Sequence, residues 1–184
     1  MKLSALALGA MLSISALAGI AYAANPDVGG APMYEDKNII ENAVNSADHT
    51  TLVAAVQAAG LVETLSGPGP FTVLAPTNEA FAALPAGTVD TLLKPENKDM
   101  LVKILTCHVI AAKALSTDIA KMAMDDGGTH MVDTVGGCKL ALKADGGKVT
   151  ITDENGTVAN VTIADVLQSN GVIHVIDAVL TPKM

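Results

Sequence analysis

The chain has 184 residues, half of them apolar, yet only two Phe, two Tyr and no Trp. Its core must therefore be aliphatic, and few rings are available to stack on bases or sugars. Eleven Lys, no Arg and nineteen carboxylates give a net charge of -8, a balance that repels phosphate backbones and anionic lipid heads and argues against nucleic-acid binding.

Lys2, an apolar run over residues 3–20 and the small-x-small site Ala21-Tyr22-Ala23 predict a signal peptide over residues 1–23, cleaved after Ala23. A retained membrane anchor is the rival, but the polar Asn25-Pro26-Asp27 that follows favours cleavage, leaving no stable membrane insertion. The destination is then periplasmic or extracellular. In that oxidising setting Cys107 and Cys138 form either a disulfide or two separately buried thiols. A bridge closing about thirty residues would stabilise the fold by about 3–4 kcal/mol in the chain-entropy model.

Residues 24–36, rich in Pro, Gly and charge, are expected to be a mobile lead-in. Residues 38–45 have helical spacing. Asp48 is placed to cap a second helix with Leu52, Val53, Val56 and Ala59 on its apolar face, ended by Gly60. Leu61, Val62 and Leu65 make one more helical turn. Gly67-Pro68-Gly69-Pro70 and Pro76 then fence a buried strand over 71–75, and Thr77 caps the helix that carries Phe81. Residues 88–93 form a short turn. Pro95 opens a longer helix whose stripe is Met100, Leu101, Ile104 and Leu105. A strand over 107–110 and a brief helix from Ser116 follow.

From residue 130 the apolar period changes from 3.6 to 2. Segments 130–135, 139–143, 148–153 and 157–161 are separated by Gly136-Gly137, Asp145-Gly146-Gly147 and Glu154-Asn155-Gly156, which predicts an antiparallel meander. Residues 163–169 read as a short helix or turn. Residues 173–180 lack polar alternation and predict a strand buried on both faces. Helices first and hairpins later make an α+β chain, with a single domain over 37–184.

Gly69 to Phe81 and Asn170 to Pro182 share one texture, a Gly turn feeding an apolar run that a Pro closes, and they stand about a hundred residues apart. Together they resemble the paired signature segments of the fasciclin domain family. The resemblance implies a β-wedge of two antiparallel sheets carrying several short helices. It also implies a non-enzymatic protein that contacts a cell-surface or extracellular protein or glycan in adhesion or surface association; with the leader segment, an exported monomer is expected. The family pattern makes His108 a buried, hydrogen-bonding residue, but where members usually carry Tyr before it this chain has Cys107. In animal members an Asp-Ile pair before the second segment is associated with integrin binding. Asp165-Val166 stands in that place, which makes Asp165 and Val166 the candidate partner contacts; a turn that packs Val166 inward is the alternative.

The remaining chemistry is sparse. His108 and His174 lie in apolar runs, where a His is a core residue bonded to a carbonyl or carboxylate. The four His and two Cys show no zinc spacing, and the acidic pairs at 125–126 and 153–154 lack a calcium loop. Met122, Met124 and Met131 suit core filling better than copper. Asp177, inside the last apolar run, is expected to be satisfied by backbone N–H groups or a buried His. No nucleophile elbow, P-loop or dinucleotide fingerprint is present. No catalytic, cofactor or metal residue is assigned. A carrier holding a lipid or pigment in an apolar pocket between wedge and helices is the second function considered.

Overall fold

The computed structural model describes residues 25–183, so the segment read as a signal peptide lies outside the described residues. The described chain opens with a small hairpin, β1 (Asp27–Val28) and β2 (Ala31–Pro32). This corrects the expected mobile lead-in. Gly29 and Gly30 both take positive φ, 62° and 75°, as a two-residue hairpin turn requires, and the Gly30 N–H donates to Asp27 Oδ1 at 3.0 Å. Val28 and Met33 then drop into the core at 3% and 2% exposure.

Three helices follow: α1 (Ile39–Ala43), α2 (Thr50–Ala59) and α3 (Val62–Ser66). Asn38 and Glu41 close a capping box on α1. Gly60 ends α2 at φ 75°. Asp48 does not cap α2; it lies in a 3-10 turn over Ala47–His49. The cap comes from a distant residue instead. Asn78 Oδ1 accepts the Thr51 N–H at 2.9 Å, while Asn78 Nδ2 donates to the Ala47 carbonyl at 2.8 Å.

Strand β3 (Phe71–Pro76) runs into α4 (Asn78–Ala82) through Thr77, whose hydroxyl accepts the Ala80 N–H at 3.3 Å as the sequence predicts. Helices α5 (Thr88–Leu92) and α6 (Lys98–Cys107) follow; Leu101, Ile104 and Leu105 of the expected stripe are buried, while Met100 remains 41% exposed. Strand β4 is only Val109–Ile110, because the helix extends through Cys107 and absorbs the start of the expected strand. Helix α7 (Ser116–Asp125) leads to the meander β5 (His130–Asp133), β6 (Lys139–Asp145) and β7 (Lys148–Thr152). Strand β8 (Val158–Gln168) and strand β9 (Gly171–Ile176) complete the sheet.

Seven strands lie in the order β4-β3-β9-β8-β7-β6-β5. The long β8 joins the two parts of the wedge, pairing with β7 through residues 158–160 and with β9 through residues 161–168. The pair β3 and β9 is parallel, with Phe71 opposite Gly171 and Pro76 opposite Ile176, where antiparallel pairing was expected throughout. The expected helix or turn over 163–169 is the second half of β8. Two register shifts bend this half, so pairing with β9 takes the backbone groups that a local turn would have used. One aliphatic core fills the space between the N-terminal helices and the β3–β9 pair; a second lies under α7 against the meander.

Candidate contact surface

Asp165 has φ 58°, in the left-handed region that Asp tolerates better than most residues. It sits at the second register shift of β8. That bulge turns Val166 into the core at 0% exposure and sends the Asp165 carboxylate to the start of α7. There Asp165 Oδ1 accepts the Ser116 N–H at 2.6 Å, and Oδ2 accepts the Ser116 hydroxyl. A carboxylate at a helix N-terminus satisfies an orphan N–H and meets the positive end of the helix dipole. The Asp165 N–H donates to His174 Nδ1 at 3.2 Å, and the other ring nitrogen of His174 donates to the Ala114 carbonyl at 2.8 Å. Of the two expected partner contacts, Val166 is committed to the core, and the half-buried Asp165 carboxylate is taken up by the start of α7. Their nearest functions are capping α7 and filling the core.

His108 is buried at 2% exposure. Its Nε2 accepts the Leu180 N–H at 2.9 Å, so Nδ1 carries the proton and donates to the Ile104 carbonyl at 2.8 Å. Burial lowers its pKa to about 4, against smaller upward contributions from the Ile104 carbonyl and Asp153. The ring is neutral and ties α6 to the C-terminal segment. Beside it, Cys107 and Cys138 are joined in a disulfide with a Cα–Cα distance of 5.4 Å. Asp177 lies just past β9, not within a strand, and is exposed. Its carboxylate accepts the Asn160 N–H at 2.7 Å and the Asn160 side-chain amide at 2.8 Å. Among the described residues no group of three or more His, Cys, Asp or Glu is placed to hold a metal ion.

One surface left open is the outer face of β5 to β8. Leu140, Leu142, Val149, Ile151 and Ala159 point to the core under α7, so by alternation their neighbours point outward. Cross-strand register aligns the outward residues into rows. Met131, Ala141, Thr152 and Val158 form one row, and Lys143, Thr150 and Asn160 the next. Met131 is 56% and Val158 52% exposed, with small side chains between them. Charge frames this apolar row. Lys139 pairs with Asp133 at 3.0 Å and Lys148 stands opposite Asp145 in the register, whereas Lys143 makes no ion pair among the described residues. The three lysines of this face are offset by Asp133, Asp145 and Asp177, the last held by Asn160 in the row of Lys143. Period-2 patterning pointed to such a face, but its rows depended on a register that sequence leaves open.

The family model of the fasciclin domain matches residues 47–182. Protein sll1483 of Synechocystis is 51% identical over 146 residues, covering 79% of this chain and 74% of that protein. Transforming growth factor-beta-induced protein ig-h3 of Sus scrofa is 40% identical over 131 residues, 71% of this chain but 17% of that longer protein. Among solved structures, a FAS1 domain pair from the insect cell adhesion molecule fasciclin I aligns with a TM-score of 0.69 at 17% identity, covering 80% of this chain and 51% of that one. The last likeness is one of fold.

Proposed function

The chain belongs to the fasciclin domain family, and we propose from that premise that it acts outside the cytoplasm as a non-enzymatic adhesion module. It works by holding another protein on the outer face of β5 to β8. The observation that carries this reading is the uncovered face itself: an apolar row from Met131 to Val158 beside the unpaired Lys143. Such a face fits a protein segment that brings an apolar side chain to the row and a carboxylate to Lys143. Protein is favoured over glycan because no aromatic ring lies on the face to stack a sugar. The carrier reading has less support. The apolar cavities between the helices and the β3–β9 pair measure about 40 and 30 Å³, and an apolar groove among Leu84, Leu92, Met100, Ile104 and Val179 about 150 Å³, each below the roughly 300 Å³ at which pockets for drug-sized ligands begin.

The test is binding of the labelled mature domain to intact cells of its source, before and after the cells are shaved with protease. Binding should saturate, weaken with salt and vanish after shaving. A Lys143→Glu, Met131→Asp double variant should lose at least about tenfold in affinity, about 1.4 kcal/mol, with its circular dichroism unchanged. Equal binding by the folded variant would remove the face from the mechanism; survival of binding after protease, with loss after glycosidase, would replace protein by glycan.

A further inference from the structure

The chain directions make the two edge strands of the sheet antiparallel neighbours: β3, β9, β7 and β5 run one way, and β4, β8 and β6 run the other. The edges meet at one end only. There the Val135 N–H, just past β5, donates to the Val109 carbonyl of β4 at 2.8 Å, and the Gly136 N–H donates to the Thr106 carbonyl at 3.0 Å. The Cys107–Cys138 disulfide clasps the same end. Beyond that clasp the edges part. Among the described residues no backbone hydrogen bond joins residues 110–113 to residues 130–133, and Ala111, Ala112, Lys113, Met131 and Asp133 are exposed.

Register decides which backbone groups of β5 are already used. The Thr134 N–H donates to the Cys138 carbonyl at 2.9 Å, and that pair stands in register with Val132 opposite Leu140 and His130 opposite Leu142. Hydrogen-bonded pairs alternate along an antiparallel ladder, so His130 and Val132 turn N–H and C=O toward β6, while Met131 and Asp133 turn theirs away. Neither the Met131 nor the Asp133 N–H donates to an acceptor among the described residues. Two donors and two acceptors are thus offered about 7 Å apart, the spacing of alternate residues in an extended chain. Such a row of unpaired backbone groups is a template for one more strand.

We propose that the free edge of β5 takes an extended segment of the partner protein as an added strand, whose main chain exchanges hydrogen bonds with Met131 and Asp133. The choice of partner rests on the proposed role of the outer face. Met131 begins the apolar row, so the side chain that an added strand sets beside it continues the row outward. One extended segment therefore serves both the edge and the face. A second copy of the chain fits less well. It would pair two-fold about Val132, setting each Met131 against the other copy's Asp133, whose carboxylate Lys139 already holds at 3.0 Å. The four residues of β5 also bury, edge to edge, far less than the about 1,200 Å² at which stable interfaces begin. A partner segment makes up that area on the face.

In the dilute, 15N-labelled mature domain the Met131 and Asp133 amides should exchange hydrogen at least about tenfold faster than that of Val132, as unpaired edge groups do. A blocked peptide of alternating Val and Thr, added to saturation, should slow those two amides by about tenfold. The same peptide N-methylated throughout should leave them unchanged. In the cell-binding assay, replacing the Met131 or Asp133 amide by an ester, which keeps every side chain, should lower affinity about fivefold, the effect of one hydrogen bond. Folded ester variants that bind as the wild type does, while the Lys143→Glu, Met131→Asp variant fails, overturn the edge and leave the face standing. If the wild type does not bind cells, the face loses its role and the peptide arm alone decides the edge; it decides likewise if the esters do not fold. Slow exchange at Met131 and Asp133 in the free domain, or no response to the peptide, overturns the proposal. Protection that rises with protein concentration alone seats a second copy on the edge and overturns it too.

Discussion

The pair β3 and β9 and the meander β5 to β8 belong to one sheet but live in different solvents. All six residues of β9 are buried, and five of six in β3, because helices cover one face and the rest of the wedge covers the other. In β7, by contrast, Val149 and Ile151 are buried while Lys148, Thr150 and Thr152 face outward. The first region stores stability and the second presents a surface. Parallel pairing belongs with the first: a parallel strand needs a long crossover, and here that crossover, residues 77–170, adds α4 to α6 to the cover that α1 to α3 already supply from before β3.

The contrast is broken or sharpened by substitution. Ile176→Ala, at a side chain with 0% exposure, should lower unfolding free energy by about 2–5 kcal/mol, whereas Thr150→Ala on the open face should move it by less than about 0.5 kcal/mol. Urea denaturation of the two variants checks this; equal losses would mean that the outer face is covered in solution.

The disulfide joins the regions, since Cys107 ends α6 and Cys138 precedes β6 with a separation of 31 residues. Reduction should cost about 3–4 kcal/mol in the chain-entropy model. Denaturant melts with and without reductant measure it, and a loss under about 1 kcal/mol would show that packing alone ties the two regions.

Acid should act through the helix-covered region. His108 titrates at about 4 when folded against 6.5 in the unfolded chain, so between those values the unfolded state binds more protons. Stability is therefore full above about pH 6.5 and falls as pH drops toward 4, by about 3 kcal/mol for this residue. His49 and His174, also lowered by burial, push in the same direction. Unfolding free energies between pH 4 and 7 should lose much of this slope in His108→Gln.

The smallest expected effect concerns the helix caps supplied from a distance. Asn78→Ala should cost about 1 kcal/mol by leaving the Thr51 N–H uncapped. Chemical denaturation would detect this, and Asp48→Ala, at a residue that caps nothing, should cost less.

Much of the architecture was legible because its signals are local. Thr77 follows a Pro-closed strand and caps the next helix with its own hydroxyl; Gly60 ends α2 because only a residue at ease with positive φ fits there. The Gly-rich turns placed β5 to β7 within two residues and the start of β8 within one. Of the two states that the sequence left open for Cys107 and Cys138 the structure holds the disulfide, and His108 is buried and hydrogen-bonded. Three features did not follow the local pattern. Residues 25–36 look like a tail until Val28 and Met33 find a core to enter. Residues 163–169 look helical, but a bulged strand offers them a full set of partners on β9. For Asp165 and Val166 a partner contact and an inward turn stayed open until the bulge directed one to α7 and the other to the core.

The sequence by itself determined where backbone segments extend, coil or turn, since periodicity, Pro, Gly and capping hydroxyls act within a few residues. The tertiary structure alone decided which strands are parallel, which carboxylate and amide cap which helix, and which outward side chains line up in rows. Those outcomes depend on register and on partners tens of residues away, such as Asn78 for α2 and Asp165 for α7. A hydrogen-bonding side chain carries no address for its partner; only the packed chain brings the two together.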